Sequence, residues 1–321
     1  MKEVISWLNA AIASGKDAAG GMTYYKVNGK TISATNGDIT ACAPWRWGGK
    51  FFVPGQEFEK ILNKLPGEPE IIEGENEIKL KSGRFSGTIQ TLKLSEWKYE
   101  GIDKAKWQKL PKGFVAILTA LRPFISEDGV PWAQSIAFDN DWVYATNNMV
   151  IAGSACQVGK CQALLPTQAV DFLLSRTDGL IEWTFDAHFM AFRWANGAWM
   201  RTQLVVGKFP ENAAGLIRKS EKAKPTQKID DDFREAVGRI GELAEDTMAI
   251  FKNRIEAKFG KAVVEDGIKC EIPKGQLCSI FGAKFLIPML KVAEVWQPSL
   301  WPEPVPWRGK NISGFIVGRR Q

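Results

Sequence analysis

The sequence of 321 residues has few of the groups that build metal centres, disulfide frameworks or membrane spans. No continuous apolar run reaches the roughly 18 residues that a transmembrane helix needs, so we predict no membrane partner. His188 is the only histidine, and the five cysteines are scattered without the paired spacing of a zinc site. We therefore predict no metal or other cofactor, and a reducing, cytoplasmic location inside a bacterial cell.

Sequence motifs of common active sites are also missing. The chain has no G-x-x-x-x-G-K-[ST] loop, no G-x-G-x-x-G turn and no G-x-S-x-G elbow. His188 falls in an alternating strand pattern, where a half-buried strand residue is a more common interpretation than a catalytic base. Cys156 and Cys161 are a weak candidate for a metal pair. We do not expect an enzyme, although an enzyme of unrecognised type stays an open alternative.

A helical segment is repeated along this otherwise ordinary globular sequence. "FVPGQEFEKILNKLP" begins at Phe52, and "LLPTQAVDFLLSR" begins 112 residues later at Leu164. A weaker copy, "SIFGAKFLIPMLKVAEVW", begins at Ser279. Roughly 50 residues before each copy lies another amphipathic run, and these begin at Val4, Phe114 and Phe233. The order helix, strands, helix, strands therefore occurs three times, with a period of about 110–120 residues.

Two polar connectors divide these repeats. They are "YEGIDKAKWQKLPKG" from Tyr99 and "RKSEKAKPTQKIDDD" from Arg218. Between the helices, alternating segments with turns such as Asn36-Gly37-Asp38 predict antiparallel hairpins. We predict three domains, 1–105, 106–222 and 223–321, because composition shifts of this kind mark exposed linkers. The alternative is one large α+β domain.

Three segments carry a family resemblance. They are "RTQLVVGKFPENAAGLI" from Arg201, "KILNKLPGEPEIIEGENEIKLKSGRFSGTIQTL" from Lys60 and "VYATNNMVIAG" from Val143. In order and spacing they resemble the bacterial-type beta sliding clamp, the beta subunit family of DNA polymerase III. The resemblance spans the whole chain and is weaker after Lys222. We interpret the sequence as a divergent, phage-encoded version of this family.

The resemblance implies an α+β DNA clamp fold with three tandem similar domains, each having two helices and two small antiparallel sheets. Two chains would join head to tail in a ring. The implied function is that of a processivity factor that encircles double-stranded DNA without sequence preference and tethers a DNA polymerase. A clamp loader would open the ring. The alternative is a clamp-fold adaptor that binds partners without encircling DNA.

The resemblance places the helices around the hole, and each predicted helix or its flank carries a cation. Such a lining would attract phosphates without reading sequence, and the formal net charge of +6 is compatible with this role. For any single residue, a solvated surface cation is an equally good interpretation. The candidate DNA-facing residues are Lys16, Lys60, Lys64, Lys112, Arg122, Arg176, Arg234, Arg239, Lys284 and Lys291.

The resemblance also implies a hydrophobic pocket for partner peptides and a subunit contact. The pocket residues carried over by position are Trp132, Ala133, Thr146, Asn148, Met149, Ile151, Phe315, Val317 and Arg320. The family usually has Asp-Gly after Ala-Thr, whereas Asn147 and Asn148 stand here, so we expect a reshaped pocket. Core or strand-edge positions are the alternative for Thr146 and Ile151. The dimer contact would join Ile89 and Leu92 to Leu243 of the partner chain.

Overall fold

A computed structural model describes residues 1–13, 20–92, 101–102 and 105–319 of the chain. Among these residues it has seven α-helices: α1 (Lys2–Leu8), α2 (Gly55–Lys64), α3 (Phe114–Leu121), α4 (Thr167–Leu174), α5 (Asn212–Lys222), α6 (Asp231–Leu243) and α7 (Ala283–Val292). The strands of the first half are β1 (Tyr24–Asn28), β2 (Thr31–Thr35), β3 (Ile39–Pro44), β4 (Lys50–Pro54), β5 (Glu70–Glu73), β6 (Glu77–Ser82), β7 (Phe85–Gln90), β8 (Gln108–Lys109), β9 (Ser135–Asp139), β10 (Trp142–Thr146) and β11 (Val150–Ala155). The remaining strands are β12 (Gln162–Pro166), β13 (Leu180–Phe185), β14 (Phe189–Trp194), β15 (Trp199–Gln203), β16 (Gln227–Lys228), β17 (Thr247–Ile250), β18 (Arg254–Phe259), β19 (Ala262–Gly267), β20 (Ser279–Gly282), β21 (Val295–Trp296), β22 (Val305–Arg308) and β23 (Ser313–Ile316).

The element order repeats one small motif six times. Each copy is a helix followed by three strands, and in the last five copies a further strand precedes the helix. The copies begin at α1, β4, β8, β12, β16 and β20, and α5 is an additional helix between the fourth and fifth copies. This order confirms the predicted recurrence of helix, strands, helix, strands, and the α+β class with antiparallel sheets.

Neighbouring copies exchange their first strands. β4 pairs with β1, β12 pairs with β9, and β20 pairs with β17, so the second copy of each pair adds a strand to the first. In two of these pairs the first copy also adds a strand to the second, because β8 pairs with β13 and β16 pairs with β21. Each copy from the second to the sixth thus adds a strand to the sheet of a neighbouring copy.

The chain forms two compact units. The first comprises Met1–Leu110 and Asp171–Leu204, and the second comprises Pro111–Val170 and Val205–Gln321. The first contains an eight-stranded sheet, β4-β1-β2-β3-β15-β14-β13-β8, and a three-stranded sheet, β5-β6-β7. The second contains β12-β9-β10-β11-β23-β22-β21-β16 and the four-stranded sheet β19-β18-β17-β20. Packing follows these shared sheets, whereas the predicted three-domain division follows the sequence repeat and stays a prediction.

The repeated sequence around Phe52 and Leu164 is a strand that runs directly into a helix. In the sequence segment that begins at Phe52, Phe52 and Val53 are buried in β4, and Pro54 ends that strand. α2 follows at once and buries Phe58 and Leu62 on the same side. The motif therefore encodes a junction between a buried strand and an amphipathic helix.

The segment from Arg218 to Asp232 is largely exposed, as predicted for a connector, but part of it has regular secondary structure. α5 extends to Lys222, and β16 lies further along the same segment. Ala213, Ile217 and Ser220 are the buried residues of α5, and their spacing of four and three residues is that of a helix face. The helix could not be recognised in the sequence, because this segment has many charges and only three small or medium-sized residues of α5 are buried.

Candidate functional sites

Six of the predicted pocket residues, including Asn148 in the β10–β11 turn, lie at one corner of the second unit, where β10, β11 and β23 are neighbours. Thr146 lies opposite Ile151, and Ile151 lies opposite Phe315 in the next strand. The backbone N–H of Val317 donates a hydrogen bond of 2.8 Å to the carbonyl of Met149. Residues that are separated by up to 171 positions in sequence, from Thr146 to Val317, thus form one local site.

A tight turn between β10 and β11 shapes this corner. Asn148 has φ of +71°, a left-handed conformation that asparagine tolerates better than most residues. The side chain of Asn147 accepts the N–H groups of Met149 and Val150 at 3.2 and 2.8 Å. Thr146 is buried and its hydroxyl donates to the carbonyl of Val150. Asn147 and Asn148, at the positions of the expected Asp-Gly, therefore form this turn, and Thr146 supports it from inside.

The sheet offers a platform of aligned residues next to this corner. Register places Leu164, Ala137, Tyr144, Gly153 and Ser313 side by side on five neighbouring strands. Strand residues in direct register point to the same face, so these five form one row across the sheet. Small residues occupy the end of the row nearest β23, which leaves space for another element.

α5 packs onto this row. A Cβ atom at Gly153 would lie 2.8 Å from Cγ2 and 3.0 Å from Cδ1 of Ile217, so only glycine fits beneath this side chain. The Ser220 hydroxyl donates a hydrogen bond of 3.0 Å to the hydroxyl of Ser313. Ala213 and Ile217 join Ala137, Tyr144 and Leu164 in one buried cluster. A contiguous apolar cluster thus fixes α5 on the sheet.

Half-buried apolar side chains surround this cluster. Phe209 makes edge contacts with Trp132 and Tyr144, at centroid distances of 5.6 and 4.6 Å. Val206, at 97% exposure, and Leu216 add apolar area that faces solvent. We call the α5 surface the set Trp132, Trp142, Ile151, Val205, Val206, Phe209, Leu216, Phe315 and Val317.

The sequence-predicted pocket includes Trp132, Ile151, Phe315 and Val317 of the α5 surface but omits Trp142 and the residues on the α5 side. Val205, Phe209 and Leu216 were part of the family-like segment, yet no binding role was assigned to them. Their signal is the apolar run that continues after β15 into α5. Ala133 is fully buried, so its side chain offers nothing to a ligand. Arg320, like Lys16, lies outside the described residues.

The candidate DNA-facing cations divide by residue type. Five lysines are exposed, and none forms an ion pair with a carboxylate in the described part of the chain. Lys60 and Lys64 are four residues apart on α2, and Lys284 and Lys291 are two turns apart on α7, so each pair shares a helix face. Lys112 precedes α3. These are the positions from which a cation can reach a ligand in solvent.

Two of the candidate arginines, Arg176 and Arg234, already donate hydrogen bonds to backbone carbonyls of the chain. Arg176 donates through Nε to the carbonyl of Trp7 at 2.8 Å and through Nη2 to Ser6 at 3.3 Å, at the C-terminal turn of α1. Its guanidinium also stacks on Phe172 at 4.1 Å, and burial lowers its pKa. Arg234 similarly donates to the carbonyls of Leu290 and Ala293 at the end of α7. Cations satisfy helix C-terminal carbonyls and oppose the negative end of the dipole.

These contacts engage Arg176 and Arg234 within the chain, and their DNA-facing role stays a prediction. Arg239 is exposed but ion-paired with Glu235 and Asp266, at 3.4 and 2.8 Å, and these contacts raise its pKa. Arg122 is half-buried in a short 3-10 helix, Arg122–Phe124. Among the candidate residues, the exposed cations without an ion pair in the described chain are therefore the lysines on α2, on α7 and before α3.

Two of the three predicted dimer residues are exposed. Leu92 is 55% exposed in the first unit, and Leu243, the last residue of α6, is 39% exposed in the second. Ile89 is 4% exposed because β7 turns this side chain into its own unit. Of the three predicted residues, Leu92 and Leu243 therefore offer side-chain area to a partner chain.

Other chemistries find little support in the described residues. No three His, Cys, Asp or Glu side chains gather there closely enough to ligate a metal, and Cys156 and Cys161 are buried free thiols. No helix among the described residues is long and apolar enough to cross a membrane.

Comparison with known proteins places this architecture. No protein-family model and no curated protein sequence matches the chain. The sliding clamp of DNA polymerase from Bacillus subtilis matches with a TM-score of 0.83 at 16% identity, covering 100% of this chain and 97% of that one. The beta sliding clamp of Caulobacter crescentus matches with 0.82 at 12%, with the same coverages. The DNA polymerase III beta subunit of Pseudomonas aeruginosa matches with 0.78 at 15%, covering 100% and 98%.

The six strand-exchanged motifs and these full-length matches define a sliding-clamp fold. Its particular form is that of the bacterial DNA polymerase III beta subunit, which confirms the predicted fold class. At 12–16% identity the likeness concerns the fold.

Proposed function

We propose that this chain is a DNA sliding clamp, a processivity factor that performs no bond chemistry. As a head-to-tail homodimer it encircles double-stranded DNA and tethers a DNA polymerase, whose effective concentration at the primer end rises as a result. A clamp loader opens the ring, and the protein acts in the cytoplasm. The proposal keeps the division into domains 1–105, 106–222 and 223–321 and the interpretation as a phage-encoded version.

The observation that carries the proposal is how the third strands of the six motifs pair. β3 of the first motif pairs with β15 of the fourth, and β11 of the third pairs with β23 of the sixth, both antiparallel. In each pairing, the first motif of one domain joins the second motif of the next domain. By the same rule β19, the third strand of the fifth motif, would pair with the third strand of the second motif of a following domain. Among the described strands, β7 is the only other third strand without such a partner.

β7 and β19 are the unpaired edges that this rule needs. Among the described residues, β7 is an edge of the three-stranded sheet and β19 is an edge of the four-stranded sheet. Unpaired sheet edges expose backbone donors and acceptors and favour pairing with another chain. Val263 on β19 is 63% exposed, and Phe85 on β7 is also exposed. Pairing of β7 with β19 of a second copy, alongside Leu92 and Leu243, closes the series into a ring.

Two further surfaces fit the proposed clamp function. Exposed Lys60, Lys64, Lys112, Lys284 and Lys291 supply a sequence-independent attraction for phosphates. The α5 surface is the candidate site for partner peptides, because an apolar surface with aromatic anchors can hold a short segment by a few side chains. Crystals of the Pseudomonas aeruginosa clamp with griselimycin bound show that a clamp of this fold takes a small ligand.

Retention on DNA of different topology tests the proposal. After loading onto nicked circular duplex, a closed ring stays bound in high salt, and cutting the DNA once releases it through the new end. Protein that leaves circular and linear DNA at the same rate would refute encirclement. If such protein still captured a polymerase or a polymerase-derived peptide, the adaptor alternative would be the correct one.

A further inference from the structure

A cleft of about 590 Å³ in the second unit lies at the C-terminal end of α5, and Gly153 and Ser313 of the row beneath α5 also line it. Its walls come from three parts of the chain: the start of α3 with Lys112, the end of β11, and the turn between β22 and β23. Glu221, near the end of α5, closes one side. Of its lining residues, only Lys112 has a role in the function proposed above, as a candidate DNA-facing cation.

The charge of the cleft is predominantly positive. Lys112, Arg308 and Lys310 line it, against one carboxylate, Glu221. Arg308 is already engaged, because its guanidinium donates to the carbonyls of Glu221 and Ala223 at the end of α5. Lys112 and Lys310 are exposed, and neither has an ion-pair partner in the described chain. Two ammonium groups are therefore free to meet an anion at the same opening.

The turn that carries Lys310 reaches the helix side of the sheet. A smaller cavity of about 200 Å³ beside the cleft is lined by Ala116 and Ala120 of α3, by Val292 at the end of α7, and by Lys310. Gly309 makes this approach possible, since a Cβ there would lie 2.0 Å from the carbonyl oxygen of Val292. Lys112, which precedes α3, and Lys284 and Lys291 on α7 are candidate DNA-facing residues. Lys310 lies beside the same two helices and therefore belongs to the same group of charges.

We propose that this cleft seats a phosphate of duplex DNA, with Lys112 and Lys310 as its two cationic contacts. The inference rests on the proposed clamp function and adds a residue, Lys310, that belongs to a strand turn and not to a helix. A turn lysine held between two helices would contact the DNA backbone at the level of the helix ends. As both contacts are point charges to phosphate, they would be independent of DNA sequence.

Salt dependence of binding tests the cleft directly. Affinity of the intact protein for a linear 30-base-pair duplex would be measured by fluorescence anisotropy at several salt concentrations. Each phosphate contact contributes about 0.9 to the slope of log K against log salt. We expect Lys310→Ala and Lys112→Ala each to reduce the slope by about one, and the double variant to reduce it by about two. Lys310→Arg should keep the wild-type slope.

Lys258→Ala is the matched control, because Lys258 is an equally exposed lysine on β18, outside the cleft. It should leave the slope unchanged, and circular dichroism should show all variants folded. A wild-type slope in the double variant would overturn the cleft assignment while leaving the clamp intact. Wild-type protein that failed the circular-DNA test would instead refute the proposed function.

Discussion

Replacement of Gly153 by alanine tests whether α5 is held on the sheet as the structure shows. Gly153 lies in β11 with ordinary strand geometry, so alanine brings no backbone strain. Its added Cβ would lie 2.8–3.0 Å from three side-chain carbons of Ile217, which is closer than packed carbon atoms approach. Overpacking of this kind costs about 1–3 kcal/mol.

Ile217→Ala removes the three atoms that would clash. Because Ile217 is fully buried, this substitution alone should cost about 2–5 kcal/mol through lost burial and the cavity left behind. In that background, Gly153→Ala meets no atom of residue 217 beyond Cβ, so its own cost should fall close to zero. The two substitutions should therefore be non-additive by about 1–3 kcal/mol, within the range seen for residues in contact.

Native-state hydrogen exchange is the appropriate assay, since a chain of two compact units does not guarantee two-state unfolding. The free energy of opening would be measured at the amides of α5 in wild type, both single variants and the double variant. Gly215→Ala is the control, because Gly215 lies in α5 with no atom within 4 Å of a built Cβ. It should stabilise α5 by about 0.5–1 kcal/mol.

Additive effects would refute the reasoning. If Gly153→Ala cost the same with isoleucine or alanine at position 217, then Ile217 would not lie over Gly153, and the α5 surface would lack its helix. A stabilising Gly153→Ala would lead to the same conclusion.

The remaining predictions concern assembly, a helix end and the thiols. Leu243→Glu should give monomers by light scattering, because it places a charge in the proposed contact, whereas Leu277→Glu on an 84% exposed leucine should leave dimers; monomers from both or neither would contradict the interface. Arg234→Met should weaken exchange protection at the end of α7 by about 1.5–3 kcal/mol, the value of hydrogen bonds from a charged group, and unchanged protection would exclude the capping role. Burial raises the pKa of Cys161 and Cys270 to about 12, above the unfolded value near 9, so the contribution of these thiols to stability should be constant below about pH 9 and fall as pH rises toward 12. Both thiols should resist iodoacetamide at pH 8 until urea unfolds the protein, and rapid labelling of the native form would contradict their burial.

The sequence predicted the repeat because local patterns encode it. Helices α2 and α4 share a strand-to-helix junction, and the hairpin turns carry Asn-Gly or related pairs, as at Asn36-Gly37 and Asn196-Gly197. Alternation of apolar residues located β9, β10 and the strands from β13 to β15. These signals depend only on neighbouring residues, so one sequence suffices to detect them.

Pairing between distant strands could not be predicted in this way. Nothing in β3 designates β15 as its partner, and the complementarity of the two edges exists only once both motifs have folded. The row of residues beneath α5 could not be predicted for the same reason, because the sequence identifies Gly153 only as a glycine in a strand. Its reason, the side chain of Ile217, lies 64 residues later.

The division of labour between lysine and arginine was equally hidden, and it bears on how a clamp would hold DNA. Arg176, Arg234 and Arg308 each direct a guanidinium at carbonyls that end a helix. The planar fork of arginine matches several fixed acceptors at once, and the same property would make it bind a phosphate firmly and directionally. Lysine presents a single hydrated charge on a flexible stem. If the lining consists of lysines, as the exposed residues indicate, each contact with DNA is weak, mobile and replaceable by the next phosphate. Substituting arginine for Lys60, Lys64, Lys284 and Lys291 together should therefore preserve loading but slow diffusion along DNA, which single-molecule tracking can measure; unchanged diffusion would show that the choice of cation does not govern sliding.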